Sequence, residues 1–246
     1  MQRATRITTI MLSALLLTGS LIGCRTRSFL STKQEIELGQ QGMQQVEQQY
    51  RVETATPDAE RVREIGDRLL KYIHKRPIPY SFHVIDSNQI NAFSLPGGPV
   101  FVCRGLMDMI GNDNDALACV IGHELGHINA RHVARTISSD ILNSTLIAVL
   151  FPNPNAQAGA SIVNDVLGLH YSRQEEYEAD WRGLSYAHAA GYNPEGMVRF
   201  FSKLERLSKL QGSAGPAWLQ DHPLTKDRIA RAEWIIEHHD YRYGNQ

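Results

Sequence analysis

The sequence contains the stretch Ala116-Leu117-Ala118-Cys119-Val120-Ile121-Gly122-His123-Glu124-Leu125-Gly126-His127, which ends in one HExxH motif. Residues four apart in an α-helix lie one turn apart on the same face, so His123 and His127 can present two imidazoles to one metal ion. Glu124 lies about 100° round the helix, where its carboxylate can reach a water held by that ion without being a ligand. The neighbouring residues are apolar nearly all round, which predicts a buried helix. Two histidines and a glutamate buried there need partners, and a metal would satisfy all three.

Length and composition are those of an ordinary globular protein. The chain has 246 residues, of which 42% are hydrophobic and 21% are charged. This length suits one good-sized domain. The 25 Lys and Arg residues are balanced by 26 Asp and Glu residues, giving a formal net charge of −1. Composition therefore predicts no nucleic-acid partner.

The N-terminus has the pattern of an export signal. Arg3 and Arg6 precede the apolar or small residues 7–22, a core too short to favour a permanent membrane span. The run Leu21-Ile22-Gly23-Cys24 resembles a bacterial lipobox, which predicts lipidation of Cys24. The alternatives are an ordinary signal peptide and an uncleaved anchor.

Cleavage before the lipidated cysteine predicts three segments. Residues 1–23 form the signal peptide, residues 24–31 form the lipidated tether, and residues 32–246 form the folded domain. Because Arg25 rather than Asp follows the cysteine, the usual sorting rule predicts an outer-membrane anchor.

Two cysteines remain in the predicted domain, Cys103 and Cys119. In an exported protein they can form a disulfide. Cys103 lies in a strand-like run, however, and Cys119 lies one turn before His123 in the buried motif helix. Two buried free thiols are therefore the favoured interpretation.

Hydrophobic periodicity predicts a mainly helical α+β fold with a small antiparallel sheet beside the motif helix. Strands are predicted over 80–85, 92–95 and 100–103. Helices are predicted over 32–50 after a Thr32–Glu35 capping box, then over 58–74, from the acceptors at 112–115 to 138, and over 172–191, 194–210 and 226–239. Two apolar runs, 141–151 and 156–169, are too short to span a membrane. They predict a helical hairpin that either belongs to the core, or covers the site or touches lipid or substrate.

A catalytic zinc needs a third protein ligand and one open position. An extended HExxH pattern would place a third histidine six residues after His127, but that position is Val133. His132 lies five residues after His127, which on a continuous helix turns it away from the ligand face. It is interpreted as a surface histidine or as one that supports a ligand.

The third ligand is predicted in the acidic run 175–180. Glu176 and Asp180 are four residues apart and share one helix face, so Glu176 can bind zinc while Asp180 accepts the ring N–H of His123. Glu178 points to another face and is predicted to be solvated. The alternative for the whole run is an exposed acidic helix surface.

Four motifs carry a resemblance to a known family. They are NAFSLPGG at 91–98, HELGHINARH at 123–132, SRQEEYEAD at 172–180 with Gly183, and His222-Pro223. In this order they resemble the gluzincin zinc-peptidase family that includes the Ste-type CAAX prenyl proteases, HtpX, the mitochondrial Oma-type protease and the periplasmic BepA and LoiP proteases. The chain is most similar to the soluble periplasmic lipoprotein branch. The resemblance implies a zincin-like fold, one Zn²⁺ per chain and Glu176 as the third ligand.

The resemblance also implies roles for residues outside the two motif helices. His222 is expected near the open zinc position as an oxyanion stabiliser or an inhibitory fourth ligand, against a helix-capping or surface role. Arg173 is expected to orient the acidic cluster or bind the substrate carbonyl. An edge strand beside the zinc is expected to hold an extended peptide by strand addition, against the alternative of a simple hairpin, and it comprises Asn91, Ala92, Phe93, Ser94 and Leu95.

These observations predict a zinc-dependent metalloendopeptidase in which Glu124 is the general base. The resemblance implies substrates that are unfolded or misassembled cell-envelope proteins, with the membrane as a further partner through the lipid at Cys24. The alternative function is a non-proteolytic envelope chaperone or assembly factor with a latched zinc site. The intact Glu124 argues against that alternative, because a structural site needs no base.

Overall fold

The computed structural model describes residues 28, 30–140, 168, 170–211, 215–224 and 226–241. The helices are α1 (Thr32–Gln49), α2 (Pro57–Leu69), α3 (Arg104–Ile110), α4 (Asn114–Ala130), α5 (His132–Asp140), α6 (Arg173–Ala189), α7 (Glu195–Gln211), α8 (Trp218–Asp221) and α9 (Lys226–Glu237). The strands are β1 (Val52–Glu53), β2 (Ser81–Ile85), β3 (Ala92–Ser94) and β4 (Pro99–Cys103). The predicted signal peptide, Cys24 and the apolar runs 141–151 and 156–169 lie outside the described residues.

The mainly helical α+β class predicted from the sequence is confirmed, and most helix boundaries agree within a few residues. Two of the local differences concern α1 and α2. The capping box at the start of α1 is formed by Ser31 and Gln34, one residue earlier than predicted. Helix α2 ends at Leu69 rather than His74.

The four strands form one mixed sheet of order β1-β2-β4-β3. The predicted sheet was wholly antiparallel, which is wrong for one pair, because β2 and β4 are parallel with Phe82 opposite Val100. After β2 the chain crosses to the far edge, forms β3 and returns through a tight hairpin, so β4 enters between them in the direction of β2. Gly97 and Gly98 make this hairpin, with φ values of 79° and 127° that favour glycine.

Helix α4 is the centre of the domain. Every residue from Ala116 to Ile128 is buried, and the helix packs against α6, α7, α2 and β3. The Asp113 carboxylate caps its N-terminus by accepting a hydrogen bond from the Ala116 N–H at 3.0 Å, and Arg199 of α7 pairs with the same carboxylate at 2.7 Å. The predicted buried motif helix is therefore the element around which the core is built.

Helix α4 ends at Ala130, although the sequence predicted that it would continue to residue 138. Arg131 has the left-handed conformation, with φ 60° and ψ 33°, and this residue separates α4 from α5. The conformation costs a non-glycine residue about 1–2 kcal/mol. Buried Glu35 of α1 offsets that cost, because its Oε1 accepts a hydrogen bond from Arg131 Nε at 2.7 Å.

Both cysteines of the domain are buried free thiols, as the favoured interpretation held. Burial raises the pKa of Cys103 to about 12.

Among the helices of the described segments, none has both the length and the apolar character required to cross a membrane.

Candidate metal centre

Helix α4 places both motif histidines at one point in the core. His123 Nε2 and His127 Nε2 lie 3.0 Å apart, and both side chains are at most 1% exposed. Their one-turn spacing produces this convergence, as the sequence predicted.

Helix α6 brings Glu176 to the same point. Ser172 and Glu175 form a capping box that fixes where α6 begins. Glu176, in the first turn, places Oε1 3.4 Å from His127 Nε2 and Oε2 3.7 Å from His123 Nε2. The two helices approach closely where Gly183 faces the His123 backbone, because a Cβ at Gly183 would lie 2.8 Å from His123 N.

His222 completes the cluster from the segment after α8. Its Nδ1 lies 2.9 Å from Glu176 Oε1 and 3.3 Å from His123 Nε2. The ring lies against Trp218 and Tyr171, with centroid separations of 4.8 and 5.1 Å. His222 is 1% exposed, which excludes the surface role that the sequence left open.

These four side chains can hold a metal ion. One ligand atom from each of His123, His127, Glu176 and His222 lies within 4.8 Å of the others. Because the Asp180 carboxylate accepts the Nδ1–H of His123 at 2.9 Å, a neutral His123 presents an Nε2 lone pair to the cluster. The Glu176 carboxylate lies 3.7 Å from this nitrogen, and a cation between the two would be attracted to both. Three imidazoles and one carboxylate are a donor set that suits zinc.

Glu124 lies beside the cluster rather than inside it. Its Oε2 accepts a hydrogen bond from Ser94 Oγ at 2.9 Å, and its Oε1 lies 3.6 Å from His222 Nε2. Burial raises the pKa of Glu124, against the opposing effects of His222 and His123. A carboxylate with a raised pKa next to a metal position is suited to accept a proton from water.

Asp180 lies behind His123, as predicted, and is held there by Arg228. Arg228 of α9 donates to both Asp180 oxygens at 2.7 Å and lies 2.6 Å from Glu176 Oε2. Burial favours a higher pKa for Asp180, but Arg228 and the His123 hydrogen bond lower it. Likewise, His222 and Arg228 overcome the effect of burial and hold the pKa of Glu176 well below its usual value.

Arg228 was not predicted from the sequence, which suggested Arg173 as a residue that orients the acidic cluster or binds the substrate carbonyl. Arg173 is the exposed first residue of α6, and within the described segments no hydrogen bond or ion pair joins it to that cluster. The available clue to Arg228 was its position, because it shares the buried face of α9 with Ala232 and Ile235. A charged residue on an apolar helix face needs a buried partner.

His132 and Glu178 also lie close to the cluster. His132 is fully buried, and its Nδ1 lies 2.9 Å from His127 Nδ1, which supports the interpretation of a histidine behind a ligand. Glu178 Oε2 lies 3.5 Å from His132 Nε2, and Glu178 Oε1 pairs with Arg182 at 2.8 Å. Glu178 is therefore partly buried and paired, and the prediction that it is solvated is wrong.

The predicted edge strand is an edge strand of the sheet, since β3 pairs with β4 and lies last in the strand order. Its residues are buried beside α4. Asn91 donates a hydrogen bond at 3.0 Å to Oδ2 of Asp221, the residue that precedes His222. Ser94 donates a hydrogen bond to Glu124. The strand, the segment that carries His222 and the HExxH helix thus meet at one place.

Comparison with known proteins agrees with this geometry. Residues 57–236 match the sequence profile of peptidase family M48. The β-barrel assembly-enhancing protease of Escherichia coli K12 is 27% identical over 223 residues, covering 86% of this chain and 45% of that protein. The mitochondrial metalloendopeptidase OMA1 of Schizosaccharomyces pombe is 34% identical over 197 residues, covering 71% of this chain and 57% of that protein. The chain spans about half the length of these curated relatives.

Proposed function

This chain belongs to peptidase family M48, and we propose on that premise that it is a zinc-dependent metalloendopeptidase. The observation that carries the proposal is the convergence of His123, His127 and Glu176, with Glu124 held beside them by Ser94. We assign the first three as zinc ligands and Glu124 as the general base. A purely structural site has no use for a buried carboxylate that lies next to the ion and outside its ligand set.

The mechanism follows from the positions of these residues. Bound zinc supplies Lewis acidity toward the scissile carbonyl and lowers the pKa of the attacking water. Glu124 takes the proton from that water and returns it to the leaving amine. Asp180 fixes the tautomer of His123, and Arg228 holds Asp180 and Glu176 in place by balancing their charge.

We assign His222 as an inhibitory fourth ligand rather than as an oxyanion stabiliser, the other role near the zinc that the resemblance implied. Its Nδ1 lies as close to the cluster as the other ligand atoms do, and Tyr171 and Trp218 pack on its ring. A ligand there occupies the position that a catalytic zinc leaves open for water. Activity therefore requires His222 to move away.

Substrates are proposed to be extended polypeptide segments that pair with β3. The strand lies at the sheet edge, and Ser94 at its end contacts the general base. A peptide added there would run past Glu124, with main-chain hydrogen bonds supplying affinity for many sequences. This mode suits unfolded or misassembled proteins, whose segments are free to extend.

The place of action is proposed to be the cell envelope. The leader-like residues 1–23 and the lipobox-like run before Cys24 support a lipid anchor at the periplasmic face of the outer membrane. The E. coli relative is named for the assembly of β-barrel proteins, which supports a role in quality control of envelope proteins. Lipidation is tested by detergent phase partitioning of the full chain and of Cys24→Ala, which should move to the aqueous phase.

Activity is tested by cleavage of unfolded casein together with measurement of zinc content. Wild type should bind one zinc per chain, Glu124→Gln should keep the zinc and lose the activity, and His222→Ala should cleave faster than wild type. An inactive wild type and inactive His222→Ala, each with full zinc, would favour the alternative of a latched chaperone. Absence of zinc from the wild type would overturn the assignment.

A further inference from the structure

The two proposed ligand histidines of α4 have different supports behind their rings. His123 Nδ1 faces a carboxylate, Asp180, directly. His127 Nδ1 faces a second imidazole, His132, at 2.9 Å, and His132 Nε2 in turn faces Glu178 at 3.5 Å. The rings of His127 and His132 meet edge-on, at 4.8 Å between centroids and 74° between planes.

The proton positions along this row follow from the metal-binding role of His127. A histidine that binds a metal through Nε2 carries its proton on Nδ1, so His127 Nδ1–H is the donor and His132 Nδ1 is the acceptor. A neutral His132 then carries its own proton on Nε2, where it points toward the Glu178 carboxylate. Each member of the row fixes the tautomer of the one before it.

We propose that His132 and Glu178 are positioning residues that orient His127 for the metal, an inference that rests on the proposed function. His132 sets the ring angle and tautomer of His127, and Glu178 sets the tautomer of His132. Partners of this kind orient a ligand imidazole and increase its basicity. Neither residue touches the metal or the substrate.

The break after α4 is what makes this arrangement possible. On a continuous helix, residues five apart are separated by about 140° around the axis, so His132 would point away from His127. The left-handed Arg131 ends α4 and turns α5 back, which brings His132 Nδ1 to within 2.9 Å of His127 Nδ1. The strained residue therefore has a use in the site.

Zinc affinity, measured by competition with a chelator, tests the role of His132 through two substitutions of nearly equal shape. His132→Asn keeps an acceptor near the position of Nδ1, whereas His132→Leu removes it. We expect the leucine variant to bind zinc about 10–100-fold more weakly than wild type, and the asparagine variant to stay within about threefold of wild type. His83→Ala, which removes a histidine from the sheet, is the control and should leave zinc affinity unchanged. Equal affinities for His132→Asn and His132→Leu would overturn the role of His132.

A second pair of variants tests Glu178. Glu178 and Glu205 each make an ion pair with a basic residue four positions later, at 2.8 and 3.0 Å. Glu178→Ala should weaken zinc binding about threefold to tenfold, while Glu205→Ala should not change it. Equal effects of the two substitutions would show that Glu178 acts only through its helix, and would overturn its positioning role.

Nitrogen-15 NMR of the zinc-loaded wild type reads the tautomers without a substitution. We expect a protonated Nδ1 on His127 and, on His132, an unprotonated Nδ1 with a protonated Nε2. If the wild type binds zinc but His132 carries its proton on Nδ1 instead of Nε2, the proposed roles of His132 and Glu178 would be refuted. A wild type that binds no zinc would instead refute the proposed function, so the two failures are distinguishable.

Discussion

The buried Glu35 allows the link between the N-terminal helix and the candidate site to be tested. Its carboxylate accepts hydrogen bonds from Arg76 at 2.8 and 3.0 Å and from Arg131 at 2.7 Å. Arg131 also donates to the Leu30 carbonyl. Replacing Glu35 by glutamine keeps the volume, removes the charge and leaves two arginines without their counter-ion.

The expected loss follows from the exposure of the partners. Removing one member of a buried ion pair costs about 3–5 kcal/mol. The side chains of Arg76 and Arg131 are 16% and 32% exposed, and the glutamine amide oxygen still accepts a hydrogen bond, so we expect Glu35→Gln to lower the free energy of unfolding by about 2–3 kcal/mol. For a domain of this size that lowers the melting temperature by about 4–12 °C.

Urea unfolding followed by circular dichroism measures this loss, with Glu37→Gln as the matched control on the same helix. The Glu37 side chain is 52% exposed and lies 3.7 Å from Lys33, so its substitution should cost less than about 0.5 kcal/mol. Because Arg131 aims His132 at His127, Glu35→Gln should also weaken zinc binding. A difference of under about 0.5 kcal/mol between the two variants would refute the view that Glu35 holds the end of α4.

Three further predictions concern the cap of α4, the hydrogen bond to the proposed general base and the contact between α6 and α4. The Arg199 hydrogen bond, opposed by burial, lowers the folded-state pKa of Asp113 from 3.8 to about 2, so its contribution is present above pH 4 and is lost as the pH falls from about 4 to about 2. Because the Arg199 side chain is 42% exposed, we expect Asp113→Asn to lower the free energy of unfolding at pH 7 by only about 1–2 kcal/mol, measured in urea. The stability of this variant should also depend less on pH between about 4 and 2. Ser94→Ala removes the hydrogen bond to Glu124 and should lower kcat about threefold to tenfold at unchanged zinc content, measured on a fluorogenic peptide. Gly183→Ala places a Cβ 2.8 Å from His123 N, so it should cost about 1–3 kcal/mol in thermal unfolding and reduce bound zinc. Full zinc occupancy in Gly183→Ala would contradict the close-contact argument.

The parts of the site that lie on single helices could be predicted from the sequence. His123 and His127 share one face of α4, and Glu176 and Asp180 share one face of α6, because a four-residue spacing is read directly from the chain. The burial of α4 could also be read, since apolar residues surround the motif on all sides. These two helices carry the proposed ligands, so local periodicity was sufficient for most of the site.

The parts that depend on distant contacts could not be predicted in this way. The end of α4 at Arg131 is stabilised by Glu35, which is 96 residues away, and no local pattern marks a left-handed arginine. The parallel pairing of β2 and β4 likewise depends on which side of β2 the later hairpin enters. The sequence-based interpretation of His132 assumed that α4 continues past this residue. Because α4 ends before it, His132 instead lies beside His127.

The charges around the cluster explain why a divalent cation suits this fold. The described residues place three carboxylates around the converging ligand atoms, those of Glu124, Glu176 and Asp180, and one guanidinium, that of Arg228. With all three carboxylates ionised and the histidines neutral, the protonation states that metal binding requires, these groups would carry a formal charge of −2, which a divalent ion would cancel. Such a charge is costly to bury without compensation. Arg228 can reduce it but cannot replace the ion, because its nitrogens contact Asp180 and Glu176 from the side of α9, leaving the lone pair of His123 Nε2 directed at the cluster. Binding of a divalent ion at the proposed site would therefore also stabilise this core.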